Sequence, residues 1–141
     1  MKTSTRRMTG FTLLELMIVV VIIAILAALA MNSYRQYILR GNRTYATRAL
    51  QDVASREENY YFSNNTYAAS MTSLGAASTA GSYYKITVPV TSATNYTIQA
   101  DAIGTQVQDA TCLQLQLTRA GEQKVTSGGG APSACWGGQS H

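Results

Sequence analysis

A single acid, Glu15, lies near the start of an apolar run from Phe11 to Ala30. An acid in the apolar part of a bilayer costs about 2.5–3.5 kcal/mol even on a lenient insertion scale. A permanent helix can use such an acid, because a carboxylate in hydrocarbon strongly attracts a positive partner. Cleavage between Gly10 and Phe11 would create that partner, the new α-amino group of Phe11. The pattern therefore predicts charge pairing at a helix start.

The second pair of residues with a chemistry of its own is Cys112 and Cys135, the only cysteines in the sequence. There is no Cys-x-x-Cys motif and no Cys/His cluster, so we predict no metal site. An isolated pair in a chain that crosses or leaves a membrane is more often a disulfide, which would contribute about 3–4 kcal/mol in the chain-entropy model. Two unrelated buried thiols are the alternative.

The sequence shows no catalytic constellation. Its one histidine is His141, no serine lies in a nucleophile-elbow motif, and the acids are scattered. We therefore predict a structural protein that is not an enzyme and uses no cofactor.

The net charge of +4 is compatible with nucleic-acid binding, so the position of the charges matters. Lys2, Arg6 and Arg7 fall within the first ten residues, whereas the part from Glu57 onward has three bases and five acids. Phosphate binding needs clustered Lys and Arg. Nucleic-acid binding is possible on this evidence, but the C-terminal part does not support it.

The apolar run would be about 30 Å long as a helix, which matches the hydrocarbon core of a bilayer. One alternative is a conventional signal peptide cut after Ala28-Leu29-Ala30, which would leave a soluble protein that begins near Met31. Glu15 favours the other alternative, a cut after Gly10, because a disposable signal gains nothing from a buried charge. The flanking Lys and Arg residues do not settle the orientation.

Residues 10–20, GFTLLELMIVV, resemble the class III signal of type IV pilins and pseudopilins. The resemblance implies that a prepilin peptidase cuts between Gly10 and Phe11 and methylates the amino group of Phe11. It also implies that Glu15 neutralises the N-terminus of a neighbouring subunit during assembly. Many relatives have Gly and Pro at the positions of Ala24 and Asn32, so this helix is expected to stay more continuous.

The later sequence extends this resemblance. Residues 57–61, EENYY, together with Asn65-Thr66-Tyr67 and Cys135-Trp136, look most like PilE-type type IVa minor pilins. The resemblance implies a pilus subunit that supports assembly, adhesion or twitching motility, with other pilins, the prepilin peptidase and the assembly machinery as partners. It would lie in the inner membrane with its C-terminal domain in the periplasm, then in the pilus. A pseudopilin of a type II secretion system and a DNA-binding minor pilin for uptake are the alternatives.

We expect the predicted charge pair and the folded domain to lie on one long helix. No proline interrupts residues 11–62, so we predict a helix whose first part, 11–30, is apolar and whose continuation, 31–62, packs on a sheet. The apolar face of the continuation is predicted from helical spacing as Tyr34, Ile38, Gly41, Tyr45, Ala49 and Val53. Arg40, Arg43 and Gln51 would then point elsewhere, to solvent or to other subunits.

The remainder, residues 63–141, is predicted as a loop followed by a four-stranded antiparallel sheet, giving an α+β pilin fold behind a leader of residues 1–10. Asn59 to Leu74 is rich in loop-forming residues, and Gly75 to Ser82 is a flexible connection by composition. Alternating patterns predict the strands, with a hairpin turn at Arg119 to Gly121. These strands are Tyr84–Val90, Tyr96–Ala102, Cys112–Thr118 and Glu122–Thr126.

Overall fold

The protein is described by a computed structural model that covers residues 10–137. Most of the predicted leader, including Lys2, Arg6 and Arg7, lies outside this range, as does His141. The chain divides into two compact units, Met1–Arg35 and Gln36–His141.

Helix α1 runs from Leu13 to Asn64 and is 52 residues long. It ends where Asn65 adopts a left-handed conformation with φ of 55°, which asparagine tolerates better than most residues. The side-chain amide of Asn64 donates to the carbonyl oxygen of Tyr60 at 2.9 Å, and the backbone N–H of Asn65 donates to the carbonyl oxygen of Tyr61 at 2.8 Å, which satisfies one of the last free carbonyls. With these hydrogen bonds, the helix ends two residues after the predicted end at residue 62.

A five-stranded antiparallel sheet follows, with the strands adjacent in chain order. The predicted α+β architecture is confirmed, and four of the strands are those expected from the alternating patterns. The extra strand, β1, is only two residues long, which is too short to show alternation in the sequence. The strands are β1 Thr79–Ala80, β2 Tyr84–Thr91, β3 Tyr96–Ala102, β4 Gln114–Thr118 and β5 Gln123–Ser127.

The two faces of the sheet differ in chemistry. On one face Ile98 is paired with Leu117 across β3 and β4, and both are buried. On the other face the amide of Gln116 donates to Gln99 at 2.7 Å, and the amide of Gln114 donates to Asp101 at 2.6 Å. Successive side chains of a strand point to opposite faces, so each strand contributes to both the apolar core and this polar ladder.

The buried face of α1 differs from the predicted one. The prediction is confirmed for Val53, which is buried, and Ala49 packs against the core. It is wrong for Tyr45, which is 52% exposed, and for Ile38, which is 41% exposed, so in this stretch the buried face is displaced by about one residue, or about 100° around the helix. The reason is that three of the buried positions are polar or charged, which hides this face from a count of apolar residues. The buried residues of α1 are Leu39, Asn42, Arg43, Ala46, Leu50, Val53 and Glu57.

The domain core forms where this face meets the sheet. Ala46, Leu50 and Val53 of α1 belong to the same buried cluster as Ile86 and Leu115 of the sheet. A short second helix, α2, runs from Pro132 to Cys135 and adds Cys135 to this cluster. The helix and sheet thereby hold the polar residues of α1 in fixed positions.

Candidate functional site

Gly10 and Phe11 lie in an exposed, non-helical segment immediately before α1. Thr12 forms the N-cap, since its Oγ1 accepts a hydrogen bond from the backbone N–H of Glu15 at 3.2 Å. Glu15 therefore occupies the third helical position, where an acid interacts favourably with the helix dipole. The peptide bond between Gly10 and Phe11 is therefore accessible, and Glu15 follows it in the first turn of α1.

The apolar side chains that follow Glu15 have no cover within the described residues. From Leu16 to Leu29 the large apolar side chains are 43–68% exposed. The helix that carries them is long and apolar enough to cross a membrane. Exposed apolar surface of this extent marks a site of contact with lipid or with other proteins.

In the domain, a buried ion pair joins α1 to the segment before β4. Arg43 donates to both carboxylate oxygens of Asp109, through Nε at 2.7 Å and Nη2 at 2.8 Å. Its Nη2 also donates to Thr111 Oγ1 at 2.9 Å, and its Nη1 to the carbonyl oxygen of Ala134 at 3.0 Å. Burial raises the pKa of Asp109, but the hydrogen bonds from Arg43 and Thr111 outweigh it, so the carboxyl pKa lies below its usual value.

Gln106 extends this cluster into the core. Its amide nitrogen, Nε2, lies within hydrogen-bonding distance of three oxygens, those of Leu39, Tyr84 and Asp109, while its amide oxygen accepts from Asn42. Burial raises the pKa of Tyr84 to about 12. We call Asn42, Arg43, Tyr84, Gln106, Asp109 and Thr111 the Arg43 cluster.

Cys112 and Cys135 form a disulfide, with Cα atoms 5.7 Å apart. The bond joins the residue beside Thr111 to the end of α2. Gly130 packs against this junction, because a Cβ there would lie 2.5 Å from the Thr111 carbonyl oxygen and 2.9 Å from the Cys135 sulfur. Trp136 closes the segment by donating from Nε1 to the carbonyl oxygen of Lys124 at 3.3 Å.

Between α1 and the C-terminal segment lies a cavity of about 540 Å³. Its walls include the exposed side chains of Arg40 and Thr44 on one side and Trp136 on the other. Within residues 10–137, no group of three or more His, Cys, Asp or Glu side chains is arranged to hold a metal ion. The cavity therefore combines cationic and hydroxyl side chains of α1 with a mainly apolar wall from the C-terminal segment.

Glu57 is a fully buried acid near the C-terminal end of α1. Its Oε2 accepts from the backbone N–H of Ala68 at 2.9 Å, but its Oε1 has no hydrogen-bond partner in the described part of the chain. Burial raises the carboxyl pKa, partly opposed by the Ala68 bond, and repulsion from Glu58 raises it further. The side chain links α1 to the loop that contains Tyr67 and Ala68.

The sequence matches the family model described as "Type IV minor pilin ComP, DNA uptake sequence receptor" over residues 32–116, more than half of the chain. A model of the prokaryotic N-terminal methylation motif matches residues 5–31. The chain belongs to the type IV minor pilin family. The predicted family is therefore confirmed.

Curated relatives share part of this pilin sequence. A fimbrial protein, EcpC, from Eikenella corrodens is 36% identical over 99 residues, which is 70% of this chain and 65% of EcpC. The wide pilus major component PilA4 from Thermus thermophilus is 37% identical over 77 residues, 52% of this chain and 59% of PilA4. A fimbrial protein from Neisseria meningitidis is 35% identical over 69 residues, 49% of this chain and 41% of that protein. Each match therefore spans less than two thirds of the relative.

The fold of this pilin also has a counterpart among solved structures. It is similar to the non-core minor pilin PilV from Neisseria meningitidis, with a TM-score of 0.54 and 20% sequence identity. The similarity covers 67% of this chain and 93% of PilV. At this identity the comparison supports the pilin fold alone.

The structure also shows functional side chains that the sequence did not reveal. Arg43, expected on a solvated or intersubunit face, is instead 8% exposed and paired with Asp109. The burial of Gln106 and of Glu57 was not predicted, because a polar residue in a helix or loop gives no sign of its burial. The sequence contains one signal of the buried face of α1. Leu39, Ala46, Leu50 and Val53 recur at helical spacing and so lie on one side of the helix. Arg43 and Glu57 fall on that same side.

We expect Arg43→Ala to destabilise the domain by about 3–5 kcal/mol, because it would leave the buried carboxylate of Asp109 without its cation. The matched control is Arg56→Ala, which removes an exposed pair with Asp52 on the same helix and hydrogen bonds to the carbonyl oxygens of Leu74 and Gly75. It should cost clearly less than Arg43→Ala, because the side chain of Arg56 is 44% exposed and water can hydrate the groups it leaves. Denaturant unfolding of the full chain in detergent measures both. Equal losses of unfolding free energy in the two variants would contradict the expected contribution of the Arg43 cluster to domain stability.

We expect Glu57 to make the domain less stable as pH rises. Its raised pKa means that the folded state favours the neutral acid, so its support is complete below its ordinary pKa of 4.5 and declines as pH rises through the folded-state pKa. Relative to wild type, Glu57→Gln should therefore gain stability between pH 4.5 and neutrality. Unfolding midpoints measured across this pH range test the expectation. The control is Glu58→Gln, a substitution of an exposed acid, which should keep most of the decline in stability with rising pH. A parallel pH profile for wild type and Glu57→Gln would refute the expectation.

Proposed function

We propose that this minor pilin is cut between Gly10 and Phe11, methylated on the amino group of Phe11 and assembled into a type IV pilus through its apolar helix. Before assembly it lies in the inner membrane, with the domain in the periplasm. Its partners are the prepilin peptidase, the assembly machinery and other pilin subunits. The observation that carries this proposal is the position of Glu15 in the first turn of α1, directly before a stretch from Leu16 to Leu29 whose large apolar side chains are all exposed.

The position of Glu15 supports a role in assembly. It is the only acid between Gly10 and Asp52, so no other carboxylate on this stretch can attract a neighbouring N-terminal amine. Transfer of the helix from lipid to a filament exchanges one apolar environment for another. The hydrophobic effect therefore contributes little to the transfer, and packing together with charge pairing must supply the driving force.

The capping of the helix by Thr12 and the charge of Glu15 can be separated by substitution. The variant Glu15→Gln keeps a side chain of the same shape at the third helical position but removes the charge. Thr12→Ala removes the capping hydroxyl and keeps the charge, at a cost of about 1 kcal/mol in helix stability.

We expect Glu15→Ala and Glu15→Gln to be processed normally and to be absent from sheared surface fibres, because neither can pair with a neighbouring amine. Thr12→Ala should still enter the fibres. Immunoblots of fibre and membrane fractions measure assembly, and intact-mass analysis should find Phe11 first, with the mass of one added methyl group. Normal incorporation of Glu15→Gln would refute the pairing role, and a mature N-terminus at Met31 or Met1 would refute the whole proposal.

A second candidate function is DNA capture, which the match to the ComP family over residues 32–116 favours. Arg40 and Arg48 are exposed and eight residues apart on α1, so they lie about 12 Å apart along the helix. Exposed Thr44 lies between them, one turn from each. Two arginines on one side of a helix can contact phosphates of one strand, although several such contacts are needed for strong binding.

We expect the full chain in detergent, if it captures DNA, to shift a duplex in a gel with an affinity that falls as salt rises. Arg40→Gln with Arg48→Gln should lower the magnitude of the slope of log affinity against log salt by about two, which is roughly one for each phosphate contact. Lys85→Gln, an exposed base on β2, is the control and should leave the slope unchanged. Binding that is absent or insensitive to salt would dismiss this second function.

A further inference from the structure

The cavity between α1 and the C-terminal segment has the size of a small-molecule site. Its volume of about 540 Å³ lies within the range of about 300–1,000 Å³ that is usual for ligand pockets. One wall is formed by α1 and the other by the C-terminal segment around Trp136. The charge, the hydrogen-bonding groups and the apolar surface of these walls together determine which class of ligand fits.

The charge of the cavity walls favours an anion. Among the described residues that line the cavity, the charged ones are Arg40 and Arg43, and both are cations. Asp109 neutralises Arg43 through a bidentate pair. Arg40 is exposed and forms no ion pair with any residue of the described range 10–137, so its guanidinium is available to one anionic group. The planar fork of a guanidinium matches a carboxylate in a bidentate geometry.

Neutral hydrogen-bonding groups lie on both sides of Arg40 along α1. Gln36 and Thr44, which also line the cavity, are four residues before and four residues after it. The three side chains therefore follow one side of the helix, about 6 Å apart along its axis. Amide and hydroxyl groups both donate and accept hydrogen bonds. Sugar hydroxyls use both capacities, whereas an ionised phosphate group mainly accepts, so these side chains favour a ligand that carries hydroxyl groups.

The opposite wall is mainly apolar and is held in place. It includes Ala134, Cys135 and Trp136. The indole of Trp136 donates from Nε1 to the carbonyl oxygen of Lys124 at 3.3 Å, and the disulfide fixes Cys135 next to it. An aromatic side chain fixed in this way offers an apolar surface with little further loss of side-chain entropy on binding. The C–H face of a sugar ring is a suitable partner for this surface.

We propose that this cavity binds an acidic sugar, with its carboxylate on Arg40, its hydroxyls on Gln36 and Thr44, and the C–H face of its ring against Trp136. A uronic acid combines the properties that the walls select, because it carries one carboxylate, several hydroxyls and an apolar ring face. This binding goes beyond the proposed role in pilus assembly and does not depend on it.

Titration of the full chain in detergent with glucuronic acid tests this proposal. Trp136 is the only tryptophan in the sequence, so tryptophan emission reports directly on the cavity. The detergent should have a polyoxyethylene headgroup, because a sugar headgroup would compete for the site. We expect a saturable change in emission with a dissociation constant of about 1 mM, since a ligand with so few non-hydrogen atoms binds weakly.

Glucose and inorganic phosphate separate the contribution of the carboxylate from that of the sugar. Glucose has the same ring without the carboxylate, and phosphate is an anion without a ring. At matched ionic strength, both should bind at least roughly tenfold more weakly than glucuronic acid. Equal affinity for glucose would overturn the role of Arg40, and equal affinity for phosphate would overturn the assignment of a sugar. The absence of a saturable change with glucuronic acid would overturn the whole proposal and leave the assembly role standing.

Substitutions on α1 test whether binding occurs in the cavity. Arg40→Gln should weaken the binding of glucuronic acid by roughly tenfold or more, because it removes the cation that pairs with the carboxylate. Thr44→Val keeps the shape of the side chain, removes its hydroxyl and should weaken binding severalfold. Both positions are exposed, so the thermal midpoints of these variants should equal that of wild type.

The control for overall charge is Lys85→Gln, which removes an exposed base on β2 and should leave the affinity for glucuronic acid unchanged. Equal losses of affinity in Arg40→Gln and Lys85→Gln would overturn the proposal, because the binding would then reflect the net charge of the protein. Wild-type affinity in Arg40→Gln would also overturn it, because the carboxylate would then have another partner.

Discussion

The N-terminal part of α1 has an apolar surface that the subunit cannot cover by itself. Its large side chains between Leu16 and Leu29 are about half exposed on every side of the helix, whereas a soluble helix normally buries one apolar stripe. Such a helix must be surrounded by lipid or by other subunits at all times. The charge at its start, the length of the helix and the domain that it carries all follow from this requirement. In the assembly that we propose, the charge of Glu15 adds a directional element, because packing among apolar helices has little preference for one register over another.

In the domain, polar residues decide which side of α1 faces the sheet. The helix has two competing apolar faces, one with Ala46, Leu50 and Val53 and another with Ile38 and Tyr45. Hydrophobic burial alone distinguishes them poorly, because it is non-directional and depends mainly on area. The bidentate bonds from Arg43 to Asp109 have a fixed geometry and are satisfied in only one orientation of the helix. A buried ion pair adds little net stability compared with apolar packing. An orientation of α1 that separates Arg43 from Asp109 would nevertheless be strongly destabilised, because it would leave a buried charge unpaired.

This competition also explains how far the sequence could predict the structure. Alternating patterns located the four longer strands, and the absence of proline together with apolar spacing gave the long helix. The N-terminal signal indicated the pilin family, because leader charge, Gly10, Phe11 and Glu15 must occur in order, and the family match confirms it. The roles of these three residues in cleavage and assembly stay predictions. The orientation of α1 was missed, since Tyr45 and Ile38 made the exposed face more apolar by count than the buried face with Arg43. The partners of Arg43 are 66 or more residues away, and spacing within one element carries no information about such contacts.

Two interactions stabilise the position of the C-terminal segment, one by acting on the unfolded chain and the other by acting on the folded chain. The disulfide between Cys112 and Cys135 mainly restricts the unfolded chain, in the chain-entropy view. Arg43 acts on the folded chain, because it binds the carbonyl oxygen of Ala134 next to Cys135 and the hydroxyl of Thr111 next to Cys112. One guanidinium thus contacts both sides of the disulfide and ties them to α1. Arg43 therefore fixes the C-terminal segment to α1, which the disulfide cannot do because it joins the segment before β4 only to the end of α2.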